Sequence, residues 1–171
     1  WSQVILPRAA TINMNPEGLF HHLDAWDPAP LRKHLRKGGF YREALEALGM
    51  PERWLHSKIP RAAMLGHAPL GSPVHSLIRL FTLGDPLDGD EALQALGDAV
   101  HGLLEIGFLE AGGGCVRSLY QICPMADGWL ACDFHQRQAE EVDDYVMGVG
   151  PSSILLGSLT PPVTGRALIQ A

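Results

Sequence analysis

No apolar run in this 171-residue chain approaches the roughly 18–20 residues that span a bilayer, so no membrane partner is expected. The opening WSQVILPRAA has neither the basic stretch nor the apolar core of a secretory leader. It starts at Trp1 rather than at an initiator Met, which leaves room for residues lost ahead of it. Only three cysteines are present, Cys115, Cys123 and Cys132, and a secreted disulfide framework favours an even number. A reduced, cytoplasmic protein is expected. G-x-S-x-G, H-E-x-x-H and P-loop motifs are all missing, which removes the commonest signatures of hydrolases, zinc peptidases and nucleotide phosphatases. There is no internal repeat and no low-complexity segment.

Positive charge is scarce in the second half. Residues 1–80 hold ten Lys/Arg against six Asp/Glu, whereas residues 81–171 hold three Arg against thirteen Asp/Glu. Binding to a phosphate backbone needs clustered positive charge, so only the first half offers it. Hydrophobic residues make up 46% and charged residues 19%, enough for one domain, or one domain with a tail, to bury a core.

Helix signals begin at Asp27, an N-cap candidate followed by Pro28. Leu31, His34 and Leu35 share one face of the helix that follows. Arg32, Lys33, Arg36 and Lys37 take the others, and Gly38-Gly39 ends it. A second helix is expected over Tyr41 to Leu48, burying Ala44, Leu45 and Leu48, and a short helical turn over Pro51 to Leu55. Residues 57–73, with three prolines and two glycines, read as an irregular connector.

The next block has the clearest pattern. Ser72-Pro73 starts a helix with Val74, Leu77, Ile78, Leu80 and Phe81 inward, and Gly84-Asp85-Pro86 breaks it. Asp88 or Asp90 caps a short helix with Ala92, Leu93 and Leu96. Asp98 caps a third, running towards Glu110, with Val100, Leu103, Leu104, Gly107 and Phe108 inward. Gly112 to Gly114 make a turn. Val116 to Cys123 and Trp129 to Phe134 read as two strands joined through Ala126-Asp127-Gly128. The expected fold is α+β and mostly helical: a winged helix-turn-helix-like domain preceded by a helical segment, with no strand inside 74–108. The expected divisions are 1–71, 72–135 and a 136–171 linker and tail.

Cys115, Cys123, Cys132 and His135 are soft ligands, but seven and eight residues separate the successive cysteines, unlike the close pairs of structural zinc sites. Core packing is the better reading, and no metal is expected. His21-His22, His56, His67, His75 and His101 are scattered. Asp143-Asp144 point apart on a helix and read as a solvated end. The stripe Arg32, Lys33, Arg36 and Lys37, with Arg42, Arg53, Lys58 and Arg61 beyond it, is either a phosphate-binding face for RNA or DNA or a solvated helix face. The third helix of the block carries Asp98, Glu105 and Glu110 and no base, and the wing has only Arg117. A groove-reading helix meets phosphates, so this one is expected to pack on a neighbouring domain or a protein surface instead.

The tail VDDYVMGVGPSSILLGSLTPPVTGRALIQA holds an acidic pair, the glycine loop Gly148 and Gly150, Ser152-Ser153, a Pro-Pro turn and Arg166-Ala167-Leu168. Together with LRKHLRKGGFYREALEALG and the winged block, it resembles the N-terminal accessory region of bacterial class I S-adenosylmethionine-dependent methyltransferases of the small-domain type. The likeness covers most of the chain from about Leu31. It implies that the loop contacts the cofactor in the complete enzyme through Tyr145, Gly148, Gly150, Ser152 and Ser153. It further implies a downstream catalytic domain with a D-x-G-x-G-x-G turn and an N-P-P-[YF]-type loop. Neither is present, since Ile169-Gln170-Ala171 follow Leu168 directly. The implied role is substrate recognition for a methyltransferase acting on nucleic acid or on protein glutamine. The chain alone is expected to lack catalytic residues, activity and S-adenosylmethionine binding. A stand-alone winged-helix adaptor or regulator that binds a protein is the alternative, and a winged regulator that binds DNA through the first-half stripe is a third.

Overall fold

The computed structural model describes residues 26–50, 61–125 and 128–134. Helix α1, Ala29–Lys37, buries Leu31 and Leu35 and exposes its four basic residues. Pro28 occupies the cap position, and Asp27 Oδ1 accepts from the Ala29 N–H at 2.9 Å, which supplies one orphan donor with a partner. Gly38 ends the helix, and Phe40 turns inward and is fully buried. Helix α2, Arg42–Ala47, buries Leu45; Ala44 and Leu48 are half-buried rather than core.

The stretch expected to be an irregular connector contains a helix, α3, Arg61–Gly66. Its buried Met64, with Ala68 just beyond, reaches the common core. Residues 51–60, including the expected turn at Pro51 to Leu55, lie outside the described residues.

Ser72 caps α4, Pro73–Leu77, with Oγ accepting from the His75 N–H at 3.3 Å. The helix continues as a π-helical stretch, Ile78–Thr82, in which Leu83 N–H donates to Ile78 O at 3.0 Å. This wider turn places Val74, Leu77, Ile78, Leu80 and Phe81 all in the core. Asp88 then caps α5, Gly89–Leu96, through a 2.7 Å bond from Glu91 N–H. Helix α6, Ala99–Glu105, buries Val100 and Leu103, and Phe108 beyond its end is also buried. Asp98 stands at its cap position without capping it, because its carboxylate is turned to His34.

Three strand assignments differ from the sequence pattern. Leu87–Asp88 is a short strand, β1, inside a stretch expected to hold none. Leu109–Gly112 is a strand, β2, where a helix running to Glu110 was expected. The single strand expected over 116–123 is two: β3, Cys115–Ser118, and β4, Tyr120–Met125. Short strands of this kind carry little periodic signal and exist because neighbours pair with them. β3 lies between β1 and β2 in an antiparallel sheet, with Leu87 opposite Val116 and Leu109 opposite Ser118. Gly113 and Gly114, at φ 59° and 80°, form the two-residue loop between β2 and β3, a geometry that favours glycine at both positions. At Leu119 the chain leaves this sheet, its N–H donating to Phe108 O at 3.0 Å. β4 pairs with β5, Gly128–Asp133, as a separate ribbon from Tyr120 opposite Asp133 to Met125 opposite Gly128.

One hydrophobic cluster joins the basic helix region to the block, running from Leu31 to Ile122. Phe40, Phe81, Phe108 and Tyr120 stack through it in sequence, with centroids 6.2, 6.2 and 5.2 Å apart. The architecture is mixed α+β. Among the described residues no helix is long and apolar enough to cross a membrane.

Candidate functional site

Helix α1 is held in place from three sides. Leu31 and Leu35 anchor it in the core. His34 Nε2 lies 3.1 Å from Asp98 Oδ1, which ties it to the start of α6. At its far end, Arg36 places its guanidinium carbon 5.5 Å from the ring centroid of Trp129. That indole N–H in turn donates to Phe40 O at 2.7 Å. The result is a fixed helix with Arg32, Lys33, Arg36 and Lys37 all exposed. Among the described residues none of the four is in an ion pair.

The other expected bases do not extend this face as free charges. Arg42 pairs with Glu46 at 3.1 Å, one turn along α2. Arg61 is bonded to Asp85. Arg53 and Lys58 lie outside the described residues.

Helix α6 presents the opposite character. Asp98, His101 and Glu105 are exposed, and no Lys or Arg lies between Asp98 and Glu110. Part of its surface is covered. On the helix itself, a Cβ on Gly102 would meet the Trp26 indole nitrogen at 3.0 Å, and at the end of α5 just before it, one on Gly97 would meet the His34 ring at 2.3 Å. The one base on the β2–β3 hairpin, Arg117, donates from Nε to Glu110 Oε1 at 2.7 Å. Phosphate approaching this side therefore meets carboxylates and no unpaired base among the described residues.

A second charged cluster went unread in the sequence. Arg79 Nη1 donates to both Glu91 oxygens, at 2.8 and 2.9 Å, and Nη2 donates to Pro86 O at 3.0 Å. Ser76 Oγ donates to Glu91 Oε1 at 2.7 Å. Asp85, buried, receives Arg61 and lies 3.9 Å from Arg79 Nε. These side chains join α3, the π-helical stretch, the loop before β1 and α5. Every charge has an opposite partner, so the cluster is a structural clasp. Arg79, the one Lys, Arg, Asp or Glu within Pro73–Thr82, was the available signal.

Cys123 and Cys132 are buried and Cys115 is half-buried; all three are free thiols. Among the described residues no group of three or more His, Cys, Asp or Glu is placed to hold a metal. His67 Nδ1 is 2.9 Å from Leu48 O, and His75 is buried in α4. Tyr145, Gly148, Gly150, Ser152 and Ser153 lie outside the described residues, as do His21, His22, His56, His135, Asp143 and Asp144. No family model, curated protein or solved structure matches this chain.

Proposed function

We propose that Pro73–Ser118 are a winged helix-turn-helix and that the chain is the accessory, substrate-recognition region of an S-adenosylmethionine-dependent methyltransferase acting on nucleic acid or protein glutamine. The element order α4, β1, α5, α6, β2, β3 with sheet order β1-β3-β2 supports the first part, β2–β3 being the wing. The methyltransferase part rests on the likeness of residues 142–171 and of the phrases before them. The observation that carries the recognition role is the separation of charge. The basic face sits on α1, rigidly docked, while the helix that would enter a groove is acidic and partly covered.

Among the described residues every strand pairing is antiparallel. This part of the chain therefore lacks the parallel-strand switch point at which doubly wound folds hold such cofactors. In the complete enzyme the cofactor would supply the methyl group, and Tyr145, Gly148, Gly150, Ser152 and Ser153 would lie at its methionine end. The role of the described residues is to bind and orient the acceptor. The exposed Asp98 and Glu105 favour one second reading, a winged-helix adaptor that contacts a basic protein surface.

Methyl-labelled S-adenosylmethionine separates the two. The whole gene product is expected to label one class among RNA, DNA and protein. The 171-residue chain alone is expected to label none and to show no micromolar affinity for the cofactor by calorimetry. Absence of label from the whole product on every acceptor class overturns the methyltransferase reading and leaves the adaptor.

A further inference from the structure

Two cysteines meet across the β4–β5 ribbon. Cys123 stands opposite Leu130 and Gln121 opposite Cys132, so the two cysteines are diagonal neighbours on one face. Their Sγ atoms are 3.9 Å apart, and each residue is 1% exposed. Both are free thiols.

We propose that Cys123 and Cys132 are a reversible redox pair, closed to an intramolecular disulfide by hydrogen peroxide and reopened by a low-molecular-weight thiol. The pair is too buried for a bulky oxidant, which points to a small hydroperoxide. The hydrogen bond between the thiols differentiates them. It lowers the Cys132 thiol from its ordinary value and, with burial, raises Cys123 well above it. The thiolate is the nucleophile, so Cys132 reacts first. Its sulfur attacks one peroxide oxygen and the O–O bond breaks. Cys132 becomes a sulfenic acid, and the departing hydroxide takes a proton to leave as water. The Cys123 sulfur then attacks the sulfenic sulfur. The S–S bond forms, the S–O bond breaks, and the second hydroxide leaves as water with the Cys123 proton. Two thiols and one peroxide give one disulfide and two waters.

Closing the bond brings the sulfurs together by about 2 Å. Diagonal partners on an antiparallel pair sit about 7–8 Å apart at the backbone, beyond the roughly 4.4–6.8 Å that a bridge spans, so closure requires the ribbon backbone to move by tightening its twist. Two-stranded ribbons tolerate large twists. A bridge that holds the backbone in a moved position is strained and therefore readily reduced, which suits a switch rather than a permanent staple. The ribbon also carries Trp129, which bonds Phe40 O and lies beneath Arg36. Retwisting β5 therefore reaches the end of the basic helix.

Peptide mapping tests this on the folded chain. Trypsin cuts at Arg117 and Arg137 and leaves both cysteines on one peptide. Further cleavage before Asp127 parts them when reduced and leaves them joined when oxidised. After peroxide and alkylation of free thiols, the joined product is expected, lighter by two hydrogens, with Cys115 alkylated. 2-Mercaptoethanol, a thiol small enough to reach the buried sulfurs, is expected to restore both free thiols. In the Cys123→Ser variant, dimedone is expected to label Cys132. In Cys132→Ser, labelling of Cys123 is expected to be at least tenfold weaker. Both thiols still alkylated after peroxide, oxidation passing to sulfinic acid without a bridge, or disulfides only between chains would each overturn the proposal. The wild-type mapping stands even if a variant fails to fold.

Discussion

His34 Nε2 and Asp98 Oδ1, 3.1 Å apart, join the middle of the basic helix to the cap position of α6. The approach depends on Gly97, whose φ of 55° and ψ of −134° are not open to a residue with a side chain. Its missing Cβ is also the space that the His34 ring fills. Gly97→Ala is expected to lower stability by about 2–4 kcal/mol, combining backbone strain and overpacking. In a His34→Ala background the overpacking part is removed, so the same change is expected to cost about half as much. Urea denaturation of the four proteins measures this, and equal losses in both backgrounds would show that the ring contact is immaterial.

Trp129 ties the second hairpin to α1. Trp129→Phe leaves Phe40 O without its donor and weakens the stack beneath Arg36. A loss of about 1–2 kcal/mol is expected. Arg36→Ala keeps the hydrogen bond and is expected to cost about 0.5–1 kcal/mol. Thermal unfolding that ranks the two the other way would place the main restraint on the guanidinium.

The clasp around Asp85 gives a contrast between buried and exposed partners. Arg79→Met leaves the Glu91 carboxylate, mostly covered, without its cation, and about 1–3 kcal/mol of destabilisation is expected. Arg61 is more than half exposed and Arg79 Nε stays 3.9 Å from the buried Asp85 carboxylate, so Arg61→Ala does not leave that charge alone and is expected to cost under about 1 kcal/mol. Chemical denaturation of both variants checks the ranking.

Nucleic-acid binding by the whole protein should lie on α1. Each phosphate contact to duplex contributes about 0.9 to the slope of log affinity against log salt. Replacing Arg32, Lys33, Arg36 and Lys37 together by Ala should therefore weaken binding and flatten that slope by one to several such units. Glu105→Ala should leave binding unchanged or slightly tighter. Unaltered RNA and DNA affinity in the quadruple variant would assign α1 to solvent and favour a protein acceptor.

Alkaline pH acts through Cys123. Its thiol keeps its proton in the folded state above the ordinary value of 9.0, while the unfolded chain has lost it there. Cys132, coupled to it, is shifted the other way and has lost its proton below 9.0; above 9.0 only Cys123 still differs, the folded state then holds the extra proton, and stability falls as pH rises beyond that value. The denaturation midpoint, measured under reducing conditions, is expected to decline above that pH. The decline should be weaker in Cys123→Ala.

The helices of the block were legible because Val74, Leu77, Ile78, Leu80 and Phe81, and later Val100 and Leu103, repeat at helical spacing. The cap at Ser72 was legible for the same local reason, and of Asp88 and Asp90, both open in the sequence, the structure uses Asp88. Helix α3 was hidden by its proline- and glycine-rich neighbourhood, since Met64 is its only buried residue and gives no period. β1 was hidden because two residues carry no alternation, and only the edge offered by β3 makes Leu87 and Asp88 a strand.

By itself, then, the sequence determined the local elements with strong apolar periods, the exposed basic stripe on α1 and the lack of any Lys or Arg from Asp98 to Glu110. Each of these is set by side-chain spacing within a few residues. Tertiary structure alone decided the break at Leu119 that divides one expected strand between two sheets. It also decided the turning of Asp98 from cap to His34, the pairing of Arg117 and Arg61 with carboxylates, and the meeting of Cys123 with Cys132. His34 and Asp98 are distant in the chain, as are Arg61 and Asp85, while Arg117–Glu110 and Cys123–Cys132 meet through strand register, and a linear pattern fixes neither long-range contact nor register.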